Sequence, residues 1–158
     1  MPLPVVTAQI KLCINRFEPT FAGYMLKDIK VESLEGVAVA VVHELSDQME
    51  MVWNVYAINY TQHLLYGVLV SSKGYGKIDG EEKTTSALRH FLDEIPALSY
   101  VKIEPIQESL FQINNEYWMS YYAENKIYER KYVFEPNTIA EDKLETVSLL
   151  NKPGILLL

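Results

Sequence analysis

The stretch "LVSSKGYGKIDGEEKTT" runs from Leu69 to Thr85 and carries glycines at positions 74, 76 and 80. Two structures are open to it. A loop that cradles a phosphate needs a preceding strand, tight glycines that expose backbone N–H groups, and a helix whose N-terminus faces the anion. A hairpin needs only a dipeptide that tolerates positive φ. The spacing Gly74-x-Gly76-x-x-x-Gly80 misses the dinucleotide pattern G-x-G-x-x-G by one residue, and the lysine-serine pair of an ATP-binding loop is absent. Glu81 and Glu82 follow Gly80, where a bound phosphate would be repelled. Asp79-Gly80 is a favoured hairpin dipeptide. The stretch therefore reads as a turn between strands.

Strand signals recur on both sides of it. "GVAVAVVHEL" (36–45) is rich in β-branched residues and is broken by the polar "SDQME". "MVWNVYAINY" (51–60) alternates, with Trp53, Val55 and Ala57 on one face and Asn54, Tyr56 and Ile58 on the other. "LLYGVLVSS" (64–72) puts Val68 and Val70 on one face, and "SYVKIEPI" (99–106) alternates before Pro105 ends it or sets it at an edge. "TTSALRHFLDEI" (84–95) fits a helical stripe through Leu88, Phe91, Leu92 and Ile95, but its flanking strands and its threonines favour a strand with an irregular turn. The clearest hairpin is "EYWMSYYAENKIYERKYVFEP" (116–136), where Asn125 suits a left-handed turn. On its second arm Tyr128, Arg130, Tyr132 and Phe134 share the face opposite Ile127, Glu129, Lys131 and Val133.

"QESLFQIN" (107–114) reads as a helical turn, and "NTIAEDKLETV" (137–147) as a short helix with a capping box from Thr138 to Glu141. Pro153-Gly154 reads as a turn, followed by an apolar tail expected to pair as a strand or pack at an interface. Short strands at this spacing, without βαβ alternation, predict a mainly β protein: an antiparallel β-sandwich with one or two short helices. Residues 25–158 are expected to form this single domain. Residues 1–24 hold two early prolines, few charges and no period. They read as an extension that precedes a native start at Met25, or equally as an N-terminal strand or arm.

The totals exclude several function classes. A net charge of −7 opposes nucleic-acid binding, and the one basic cluster, Lys126, Arg130 and Lys131, is surrounded by Glu124, Glu129 and Glu135. Cys13 is the single cysteine, so no intramolecular disulfide forms, which fits a reducing compartment. The start lacks a charged segment before an apolar core, and no apolar run approaches the roughly 20 residues of a membrane helix. A cytoplasmic protein without a membrane is expected, and Asn59-Tyr60-Thr61 is read as a chance glycosylation pattern.

Chemical motifs fail on inspection. His43-Glu44 begins like the zinc-protease signature H-E-x-x-H, but Asp47 stands where the second histidine belongs and the segment reads as a strand. His63 and His90 have no ligand at metal spacing, and no G-x-S-x-G nucleophile is present. Glu81-Glu82, Asp93-Glu94 and Glu141-Asp142 read as solvated surface. No cofactor, metal or catalytic residue is assigned.

"WNVYAIN", "GVLVSSKGYG", "LRHFL", "YVKIEPI", "NEYWMSYY" and "YVFEPNTI" together resemble a family of small uncharacterised proteins from Bacteroidetes-type bacteria, over about residues 25–158. The resemblance implies an immunoglobulin-like sandwich and brings no activity with it. More loosely, "WNVYAINYTQHLLYGVLVSS" is similar to the strand–turn–strand of immunoglobulin-like or fibronectin-type sandwiches, in which an N-x-T-like turn links paired strands.

The first functional expectation is a non-enzymatic interaction or self-association module, with Trp118, Tyr122, Tyr128 and Tyr132 as its aromatic surface. The alternative is a small-molecule-binding protein or minor enzyme with a site near residues 71–92 and Lys73, Arg89 and His90 as its polar groups. The third is a translation accessory factor. It follows from a phenylalanine-tRNA synthetase alpha subunit label among relatives, for whose catalytic core this chain is too short.

Overall fold

The architecture comes from a computed structural model that describes residues 34–158, within a compact unit spanning Glu32–Leu158. The expected extension over residues 1–24, the start at Met25 and Cys13 lie outside the described residues.

Apolar β-branched runs and period-two alternation give ten strands: β1 (Val37–Leu45), β2 (Met51–Asn59), β3 (Leu65–Ile78), β4 (Glu81–Thr84), β5 (Leu88–Ile95), β6 (Ser99–Pro105), β7 (Asn114–Ala123), β8 (Lys126–Phe134), β9 (Glu145–Val147) and β10 (Lys152–Leu157). All pairings are antiparallel. The first sheet has the order β6-β2-β1-β10-β9; the second has the order β4-β3-β7-β8, with β5 also pairing β3. Inward side chains of both sheets, among them Val39, Val41, Trp53 and Val55 from the first and Val70, Tyr117, Met119 and Tyr132 from the second, form one buried cluster. The protein is thus a β-sandwich. β2 pairs β6 in the first layer, while β3, β7 and β8 run side by side in the other.

The glycine stretch is strand and turn. β3 continues through Gly74 and Gly76 to Ile78, beyond the end expected at Ser72, because β5 pairs its first half and β4 its second. Only Asp79 and Gly80 reverse the chain. Their φ values of 52° and 81° are both positive, as a type I′ turn requires, and Ile78 faces Glu81 across it. The β7–β8 hairpin uses the same device at Glu124 and Asn125, with φ of 49° and 64°. Between β1 and β2, the Ser46 hydroxyl accepts from the backbone N–H groups of Gln48 and Glu50, each at 3.2 Å, which explains why "SDQME" breaks the strand.

Three local expectations are corrected. The β2–β3 connection does not link paired strands; it carries the chain from one sheet to the other. Asn59 organises that crossing. Its side-chain carbonyl accepts from the Thr61 N–H and hydroxyl, and its amide donates to the carbonyls of His63, Ile95 and Pro96. The capping box at Thr138 and Glu141 does not form, because β9 claims residues 145–147 and leaves room for a single 3-10 turn, Glu141–Lys143. The Thr138 hydroxyl donates instead to the Glu135 carbonyl at 2.7 Å. Glu108–Leu110 forms the other 3-10 turn. Pro153 and Gly154 make no turn but lie within β10. The reversal comes earlier, where Leu149 and Asn151 take positive φ. Pro153 is tolerated because the β1 ladder ends at the Val42–Gly154 pair.

Gly154 is required by close approach. A Cβ there would lie 2.6 Å from the Val41 carbonyl oxygen and 2.9 Å from the Val147 side chain. Gly154→Ala should therefore force β10 away from β1 and lower stability by about 1–3 kcal/mol in chemical denaturation, as overpacked cores do. An unchanged midpoint would show that the strand can shift without cost.

Candidate functional site

Strand alternation turns half of the aromatic hairpin outward. On β7, Tyr117, Met119, Tyr121 and Ala123 are buried, so Trp118, Ser120 and Tyr122 face away from the first sheet. Their β8 partners are Lys131, Glu129 and Ile127, respectively. On the other side Trp118 pairs with Ser71 and Ser120 with Leu69, and these in turn pair with Arg89 and Phe91 of β5. The outer face of the second sheet consequently presents five large apolar side chains within four adjacent strands: Phe91 (68% exposed), Ile127 (50%), Trp118 (45%), Tyr122 (43%) and Leu69 (39%). Scattered single exposures of this kind are ordinary, whereas contiguity on one face is not.

Charge borders the patch. Lys131 Nζ lies 5.2 Å from the Trp118 ring centroid, and Glu116 stands 3.6 Å from both Lys131 and Lys73. Tyr122 stacks on Tyr66 with centroids 5.6 Å apart, which fixes the ring while leaving its outer surface open.

The expected aromatic set is divided between two environments. Trp118 and Tyr122 lie on the outer face. Tyr132 is only 2% exposed, and its hydroxyl donates to the Val37 carbonyl at 2.6 Å, tying the two sheets together. Burial holds its phenol well above the ordinary range. Tyr128 stacks on Tyr121 and packs against the core. Both take the parity of Phe134, so they leave the interaction surface. Leu69, Phe91 and Ile127 replace them. Ile127 was recoverable from its opposition to Tyr128, and Phe91 from treating 84–95 as a strand in which odd positions point one way.

The polar trio is also divided. Arg89 shares the outer face, and Lys73 pairs there with Glu116, while His90 points the other way. His90 Nε2 lies 2.7 Å from Glu104 Oε2, which also accepts from the Ser72 hydroxyl at 3.1 Å; Oε1 accepts from Tyr117 at 3.1 Å. A bulge in the β2–β6 ladder, opposite Val55 and Tyr56, turns Glu104 toward these partners. This cluster stands at a cleft of about 300 Å³ lined in part by Thr85, Ser86, Leu88, Gln107 and Asn115. Sequence reasoning missed Glu104 because a strand carboxylate in alternation reads as solvent-facing. Burial and the Glu104 carboxylate hold the Tyr117 phenol above its ordinary range, so it remains a donor.

A second carboxylate lies on the first sheet. Glu44 accepts from Asn54 at 2.7 Å, Tyr56 at 2.6 Å and Lys152 at 2.6 Å. Burial pushes its carboxyl up, but the hydrogen bonds from Lys152, Tyr56 and Asn54 outweigh it, and the group sits below its ordinary value. His43, on the same strand, stacks on Trp53 with centroids 4.1 Å apart. Among the described residues no three His, Cys, Asp or Glu side chains are grouped to hold a metal, and no helix is long and apolar enough to cross a membrane.

Compared with known proteins, the chain matches no family model and no curated sequence.

Two outcomes follow from the carboxylates. A depressed folded-state value means that Glu44 adds stability above its unfolded value, near 4.5, and that this is lost as pH falls through the lower folded value. Urea midpoints measured from pH 6 to pH 3 should therefore decline less steeply in Glu44→Gln than in the parent; equal slopes would deny the linkage. Glu104→Ala strands the Tyr117 and Ser72 hydroxyls and should cost about 1–3 kcal/mol in the same assay.

Proposed function

We propose that this protein is a non-enzymatic protein-interaction module, self-association included, and that it engages its partner through the outer face of the second sheet. The observation that carries this reading is the contiguous group Leu69, Phe91, Trp118, Tyr122 and Ile127, held on rigid paired strands and exposed to solvent. Rigid aromatic side chains give large contact area at low entropic cost, with a charged rim to align the partner. Lys73, Arg89, Glu129 and Lys131 supply that rim. A net charge of −7 argues against a nucleic-acid partner, and the proposal places the protein in the cytoplasm of a bacterium of the Bacteroidetes type, within the family that its sequence segments resemble.

The test separates surface from core. Leu69→Ser with Phe91→Ser, and separately Trp118→Ser, should reduce association in sedimentation velocity while the melting temperature stays within a few degrees of the parent. Tyr132→Phe should do the reverse, lowering stability by about 1–3 kcal/mol as the Val37 carbonyl loses its donor, with association intact. Association and partner capture that are indifferent to both surface variants would refute the reading.

A second reading has one observation in its favour. The convergence of His90, Ser72 and Tyr117 on Glu104 at a cleft suits a small polar ligand bearing hydrogen-bond donors. Titration with small amines and polyols, followed by NMR shifts of His90, should give saturable changes that Glu104→Gln abolishes. No saturable change across the set would remove it.

A further inference from the structure

The interaction reading leaves the partner unnamed, and the outer edge of β8 supplies a candidate. Among the described residues β7 is the single strand neighbour of β8, so one side of this nine-residue strand presents unpaired backbone groups. Which residues present them follows from the turn. Glu124 and Asn125 form a type I′ turn closed by the Ala123–Lys126 pair, whose N–H and C=O groups bond to each other. The β7–β8 register then runs without a shift. Lys126, Tyr128, Arg130, Tyr132 and Phe134 accordingly direct their backbone groups at β7, and Ile127, Glu129, Lys131 and Val133 direct theirs outward.

We infer that β8 pairs with β8 of a second copy, antiparallel about a two-fold axis at Arg130. The inference goes beyond the reading above: it assigns a contact at the edge of the sheet, separate from the outer face. Outward-directed residues must meet outward-directed residues, so the axis passes through a residue and not between two. Centred on Glu129, the pairing sets Glu129 against its own copy and Ile127 against Lys131. Centred on Lys131, it sets lysine against lysine and Glu129 against Val133. Centres at Tyr128 and Tyr132 oppose Ile127 to Glu129 and Lys131 to Val133. Of the centres from Tyr128 to Tyr132, which pair most of the strand, Arg130 alone makes every outward-directed pair complementary: Glu129 meets Lys131 twice and Ile127 meets Val133 twice, all on the outer face. On the inner face Tyr128 meets Tyr132. Each Arg130 is drawn back into its own fold, over the Tyr132 ring at 5.2 Å and donating to the Leu158 carbonyl, which relieves the one like-charge meeting at the axis.

Such a contact is isologous and closes at two copies. It also joins the two second sheets into one, bringing Ile127 and Val133 of each copy to the seam and doubling the apolar face.

The experiment is a charge reversal on the full chain. Glu129→Lys alone and Lys131→Glu alone each place like charges opposite one another and should weaken dimerisation about tenfold or more in sedimentation equilibrium. The double reversal restores opposite charges and should recover most of the affinity. Arg130→Cys should form a disulfide-linked dimer under mild oxidation, since directly facing residues at a non-hydrogen-bonded site lie about 4.5 Å apart at Cα. Lys126→Cys, which faces Phe134, should not. The parent chain controls for Cys13. A protein that stays monomeric at hundreds of micromolar, or a dimer indifferent to both single reversals, overturns the inference. The face is judged separately: loss of association in Phe91→Ser with inert reversals keeps the face and removes the edge. Sensitivity to the reversals with an inert Phe91→Ser keeps the edge and removes the face.

Discussion

Side chains of β7 and β8 meet those of β1 and β2 between the layers, and period-two alternation decides which ones meet. Tyr117, Met119, Tyr121 and Ala123 go inward, and Tyr132 reaches across to the Val37 carbonyl. A one-residue slip of β7 would bury Trp118, Ser120 and Tyr122 and expose four well-packed side chains. The register is therefore held by burial, and the outer face inherits its composition from the same parity. The surface patch is the complement of the core along shared strands.

Much of this was legible in the sequence. Trp53, Val55 and Ala57 alternate against Tyr56 and Ile58, and the structure puts the first three in the inter-sheet core and the others on the opposite side of β2. Asp79-Gly80 announces its turn through the positive φ that glycine accepts freely. Where prediction departs from structure, a tertiary approach intervened. Pro153-Gly154 looks like a reversal by composition, yet the glycine is there because β1 leaves no room for a Cβ. Thr138 has the right spacing for a cap, but the chain is needed seven residues later as a strand.

The site was legible only in part, for the same reason. Aromatic type groups Tyr128 and Tyr132 with Trp118 and Tyr122, but their spacing from Phe134 gives them the opposite side of the sheet. Arg89 and His90 are neighbours along the chain but lie on opposite sides of one sheet. Glu104 escaped because a bulge redirects it, and bulges leave no reliable trace in one sequence.

Asn59 has a chemical consequence of its own. Its side-chain nitrogen donates into three backbone carbonyls at the end of the sandwich where β2 hands the chain to the other layer. Hydrolysis of that amide to a carboxylate, the common ageing lesion of asparagine, would replace a donor with an anion facing three oxygen atoms. The folded state shields the amide from water, being wholly buried there. A molecule that lost it while unfolded would bring an anion against those three carbonyl oxygens on refolding, at the point where the chain passes between the layers.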